Sequence, residues 1–118
     1  MSEPLDDPPP AALVVAMGRL IGRVVAHDFD GLCADGAGGR LAATDFARIV
    51  ARYPYALVPL PVDWPASIRF SMERDDGEWC VDVPVWTAEE GMSDLTLSLR
   101  GRLVAGSWQV TVNDFLVP

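Results

Sequence analysis

Hydrophobic positions change their rhythm partway along the chain. From Ala11 to about His27, Leu13, Met17, Leu20 and Val24 recur at three- and four-residue spacing, with Val14, Ile21 and Val25 one position round and Arg19 and Arg23 on the remaining face. That pattern predicts an amphipathic helix with a wide apolar stripe. Gly18 and Gly22 lie four apart on it. Each glycine lowers helix stability by up to about 1 kcal/mol relative to Ala, so close approach by another element is the expected compensation. A second helix is expected to start near Ala42 or Ala43, because Leu41 and Phe46 are placed as a hydrophobic staple and Asp45 suits the first turn. It would carry Phe46, Ile49, Val50 and Tyr53 inward until Pro54 stops it.

From Ala66 onward the period becomes two. Ile68, Phe70 and Met72 alternate with Arg69, Ser71 and Glu73, and Asp75-Asp76-Gly77 makes a turn. Trp79, Val81, Val83 and Val85 then alternate with Cys80, Asp82 and Pro84. After a loop, TAEEGMS, come Leu95, Leu97 and Leu99; after a turn within Gly101–Gly106 come Trp108, Val110 and Val112. Four strands of this kind form an antiparallel meander with one apolar face. The two N-terminal helices bury their stripes best on that face, which gives an α+β domain of two layers, with the sheet free to curve. Pro84 cannot donate to a ladder, so its strand is expected to be bulged or at an edge there.

The remaining segments are turn-like. Residues 1–10, MSEPLDDPPP, read as a disordered or extended lead-in unable to form a helix or a ladder, and 11–118 as one domain. The segment DFDGLCADGAGG after His27 suits turns and loops, and the proline-rich YPYALVPLPVDWP should run extended over the core.

Composition narrows the function. The 118 residues hold no Lys; nine Arg against seventeen acids leave a formal charge of −8, which repels a phosphate backbone and argues against nucleic acid. No apolar run reaches the ~20 residues of a membrane span, and no secretory leader is visible, so a cytoplasmic location is expected. Arg without Lys, with abundant Ala, Gly and Val, also points to a high-GC bacterial genome.

Several short motifs suggest chemistry and each lacks a partner. Asp28-Phe29-Asp30-Gly31 after Val24-Val25-Ala26 resembles the nucleophile motif of haloacid-dehalogenase phosphatases, but Leu32 stands where that motif has Thr, and a meander replaces the parallel sheet. His27-Asp28 resembles the dipeptide of metal-dependent phosphohydrolases, whose site needs further histidines; His27 is the chain's one histidine. Asp28, Asp30 and Asp35 miss the calcium-loop spacing. Cys33 near His27 lacks an orienting group, and with Cys80 makes no metal-site spacing. No metal or cofactor is expected.

More informative is WCVDVPVWTAEEGMSDLTL, residues 79–97. Parity puts Trp86 on the nominally solvent face beside Glu89, Glu90 and Asp94, an aromatic anchor with steering charges for an Arg- or Lys-rich protein. The other polar-face residues include Arg69, Asp82 and Arg100; on a strongly curved sheet these would line a small-molecule cavity.

The same stretch resembles a family of small bacterial domains bearing a WxVDVPLWTxEEGxSDLTL-like segment. Trp79, Val81, Asp82, Val83, Trp86, Thr87, Glu89, Glu90, Gly91, Ser93, Asp94 and Leu95 fit it residue by residue. The resemblance extends to a closing WxVxIDDLxV-like strand, here Trp108 to Val117, and to the helix lead-in Gly39-Arg40-Leu41, about two-thirds of the chain in all. No activity comes with that family. A looser likeness is to NTF2-like (cystatin-like) domains, in which helices precede a curved antiparallel sheet; their internal His/Asp pair has no counterpart here. Together these readings predict a non-catalytic protein-binding module, of an immunity or accessory kind, with a basic partner and an open face that could also pair two copies. The alternative is a small-molecule pocket or enzyme on the curved sheet.

Overall fold

The computed structural model describes residues 2–4, 9–73 and 76–118. Helix α1 (Ala11–Val25) buries Leu13, Met17, Leu20, Ile21 and Val24, the stripe its spacing predicts. Two hydrogen bonds close its C-terminus: the Asp28 N–H donates to the Arg23 carbonyl at 2.9 Å and the His27 N–H to the Val24 carbonyl at 3.1 Å. His27 takes the left-handed conformation, φ 61°, where such a cap usually has glycine. Of the two helix glycines, Gly18 faces the Trp64 indole, whereas nothing approaches Gly22. Close packing thus compensates one of the pair.

Helix α2 (Phe29–Ala34) forms where the glycine and aspartate content predicts only turns, so the described residues hold three α-helices rather than the two expected. Tertiary burial explains the difference. Phe29 and Leu32 fall on one face and are both buried, and the Phe29 ring stacks on Phe46 at 5.6 Å. Helix α3 (Ala43–Arg52) begins and ends where expected. The Asp45 carboxylate accepts from the Ala42 N–H at 2.8 Å, half of a capping box, and Phe46 is fully buried.

Strand β1 (Ser2–Pro4) pairs antiparallel with β3 (Phe70–Glu73), so part of the lead-in does join a ladder; residues 1 and 5–8 of that lead-in lie outside the described residues. Strand β2 (Leu57–Val58), from the proline-rich segment, pairs with β4 (Trp79–Thr87) at Thr87 and Trp86. The 3₁₀ turn Trp64–Ser67 delays β3 relative to the start of the alternation at Ala66. Of the expected turn Asp75-Asp76-Gly77, Asp75 lies outside the described residues; the Glu73 N–H donates to the Glu78 carbonyl at 2.8 Å. The predicted loop TAEEGMS is instead a tight hairpin, because β4 runs on to Thr87 and β5 (Gly91–Val104) starts at Gly91. Strand β6 (Ser107–Leu116) completes the order β1-β3-β4-β5-β6, with β2 beside β4.

The sheet curls into a half-barrel. Two irregularities interrupt its ladders. One follows Pro84, where Trp86 pairs with Met92 although Pro84 pairs with Thr96, fulfilling the bulge expected at that proline. In the other, Ser98 pairs with Asp114 and Leu99 with Val112, so Asn113 is the extra residue and inward parity passes from Val112 to Phe115. Trp79, Val81, Val83, Val85, Leu95, Leu97 and Leu99 fill the inner face. Burying each such side chain contributes roughly 1.5–3 kcal/mol before entropy is counted. Helix α1 lies directly on β5 at Gly101, where a Cβ would run into the Leu13 side chain and stand 3.3 Å from Met17 Cε.

Candidate functional site

The helices cover the inner face, so accessible chemistry collects on the outer one. Its residues are the even-numbered positions of β4 and β5, and they fall into two groups. At the β4–β5 hairpin end, Trp86 is half-buried and sits opposite Met92, which is 47 % exposed. The indole lies along Gly91, whose Cβ position would be 3.4 Å from Trp86 Cζ3. Asp94 is exposed two residues further along the same face, and exposed Glu89 stands in the turn. Leu116, opposite Thr96 on the same face, is exposed as well. This is the aromatic and acidic patch expected from the sequence, with Met92 and Leu116 as apolar members that the sequence reading missed. Met92 belongs to a stretch expected to be a loop, although the alternation of β5 continues through it, and Leu116 is turned outward by the extra residue Asn113, across which the parity of β6 changes.

Glu90 departs from the expected patch. Its Oε1 accepts from the Tyr53 hydroxyl at 2.8 Å and from Thr87 Oγ1 at 3.2 Å, while its own N–H donates to Thr87 Oγ1 at 3.0 Å. Glu90 therefore ties the hairpin to the end of α3. Burial pushes the Tyr53 hydroxyl pKa up, and the hydrogen bond to Glu90 adds to the shift.

At the other end of the outer face the expected pocket trio divides. Arg69 and Asp82 line one shallow cavity of about 310 Å³ with Ser71, Cys80 and Val81. Arg100 belongs to another, of about 350 Å³, whose other charged lining residues are Arg40, Arg102 and Glu78. The split follows the strands: the first cavity is lined from β4 and the β3 segment, the second mainly from β5, β6 and the loop that carries Gly39 and Arg40. Glu78, whose side chain is only 13 % exposed, is 3.5 Å from Arg100 and 3.2 Å from Arg102.

Arg40 reaches this second cavity through the loop between α2 and α3. The Val112 N–H at the edge of β6 donates to the Ala37 carbonyl at 2.8 Å, which seats the loop on the open edge. Gly39, φ 62°, then passes so close to β6 that a Cβ there would fall on the Val112 carbonyl oxygen. Arg40 follows and bonds Asp114 at 3.2 Å.

The motifs near His27 serve structure. The His27 ring stacks on Phe29 at 5.4 Å, and Asp28 and Asp35 hold Arg23 at 3.1 and 2.8 Å. Burial pushes the Cys33 thiol pKa up, and the nearby charges of Asp30 and Asp45 push it further, so the nucleophilic thiolate is disfavoured. Among the described residues no group of three or more His, Cys, Asp or Glu is placed to hold a metal ion, and no helix is long and apolar enough to cross a membrane.

A family model described as a domain of unknown function, DUF7668, matches residues 21–118. The chain belongs to that family. The matched stretch takes in the last residues of α1, both later helices, and every residue of the two outer-face groups, so these features all lie within the DUF7668 domain. No curated protein and no solved structure matches the chain.

Proposed function

We propose that this DUF7668 chain is a non-catalytic binding module that docks a basic protein on the hairpin end of its outer face. The observation that carries the reading is the Trp86–Met92 pair, a wide apolar spot on an open sheet face, flanked by the exposed carboxylates of Glu89 and Asp94. Large apolar side chains rimmed by like charges are the anatomy of an anchor with a steering rim. A net charge of −8 extends the same attraction over the whole approach. Partner choice is thus set by charge complementarity, and a cationic protein met in a bacterial cytoplasm is the natural occupant for an immunity or accessory module.

Glu89 and Asp94 are both exposed and neither carboxylate bonds another described residue, so Glu89→Arg with Asp94→Arg reverses the rim without touching the core. Tagged wild-type and double-variant proteins are used as bait in lysate of the native host. The reading expects the wild type to recover a basic protein whose capture is lost on charge reversal and in high salt. Equal recovery by both baits, or a captured partner that is itself acidic, overturns it.

A further inference from the structure

The arginine-lined cavity at the opposite end of the outer face is a separate site. Three guanidiniums reach it from two directions: Arg100 and Arg102 stand two residues apart on β5, and Arg40 arrives from the loop seated on β6. Among the described residues the one carboxylate in the wall is Glu78. Asp114 and Asp76 contact Arg40 and Arg102 at 3.2 and 3.9 Å without lining the cavity. A guanidinium offers five N–H donors. Among the described residues each of these arginines pairs with one or two carboxylates, which leaves N–H donors for a ligand. Thr111, Gln109 and Asn113 add neutral hydrogen-bonding groups to the same wall. The lining thus holds three arginines against one described carboxylate, in a molecule whose formal charge is −8.

We infer that this cavity binds a small phosphorylated molecule. Donors approaching from separate elements surround a tetrahedral anion better than the flat edge of a carboxylate, which one arginine fork satisfies alone. A volume of about 350 Å³ exceeds a bare phosphate and falls within the range of small-molecule sites, so the remainder of the ligand would rest against the hydroxyl and amide groups. Glu78 has a definite part: it orients Arg100 and Arg102 and at the same time competes with the ligand for their charge. The site is independent of the protein-docking surface, since none of its residues belongs to that patch.

Titration with inorganic pyrophosphate, followed by backbone amide NMR at constant ionic strength, tests the inference. The expected result is saturable shifts confined to residues around Gly39, Arg100, Arg102 and Thr111. Arg40→Gln, a change at a side chain 72 % exposed, should weaken binding by about tenfold without altering the fold. Glu78→Gln should tighten it several-fold by removing the competing carboxylate, an effect opposite in sign to what loss of a merely structural residue would give. Shifts scattered over the surface, no saturation at millimolar pyrophosphate, or unchanged affinity in Arg40→Gln each overturn the inference. The Arg40 variant stays decisive even if Glu78→Gln destabilises the sheet.

Discussion

At the scale of single residues, backbone conformation and close approach decide more than side-chain chemistry. Gly39 combines φ 62° with a neighbouring Val112 carbonyl that leaves no room for a Cβ. Gly39→Ala should lower stability by about 2–4 kcal/mol, read as a reduced urea midpoint, since left-handed strain and overpacking act together. The turn joining β5 to β6 presents the opposite case. Ala105 and Gly106 both have positive φ, 50° and 82°, the geometry of a two-residue hairpin turn that favours Asn-Gly. Ala105→Asn should therefore stabilise the protein by about 0.5 kcal/mol in the same assay. The sequence placed Gly39 in a family-like helix lead-in and Ala105 within an expected turn, but the close approach of Val112 and the positive φ at an alanine were not legible in it. His27 is similar, a residue whose left-handed cap follows from where α1 must end rather than from anything histidine prefers.

At the scale of elements, periodicity was a good guide and local composition a poor one. The apolar stripe of α1, the staple that opens α3 and the alternation of the last four strands all appear in the structure because burial sets them. Helix α2 was hidden by glycine and aspartate, whose turn preference is overridden once Phe29 and Leu32 find Phe46 and the core. The short strands β1 and β2 were hidden by proline, which is compatible with edges though it cannot sit within a ladder as a donor. Between elements, Tyr53 and Glu90 couple α3 to the β4–β5 hairpin. The folded-state pKa of Tyr53 lies above its unfolded value, so this group's contribution is fully present below about pH 10 and is lost as pH rises through the folded pKa. Tyr53→Phe should flatten that alkaline loss and leave the acidic limb of the stability profile unchanged, as measured by urea denaturation across pH.

At the scale of the whole molecule, the sequence announced a bipolar surface only in part. Trp86, Glu89 and Asp94 were identifiable from the sequence, but Glu90 bonds Tyr53 and Thr87, Met92 belongs to a stretch expected to be a loop, and the extra residue Asn113 turns Leu116 outward. The arginine cavity was less legible still. Arg40 is distant in sequence from Arg100 and Arg102, and only the seating of its loop on β6 brings them to one wall. The consequence is a sheet whose outer face is acidic and apolar at one end and rich in arginine at the other, with the helices filling the inner side. The docking claim is tested most directly by isothermal titration of the captured basic partner against wild type and the Glu89→Arg, Asp94→Arg double variant at physiological salt. The account predicts affinity weaker by about tenfold or more in the variant, because two attractive rim charges become repulsive; affinities within twofold of each other would contradict it.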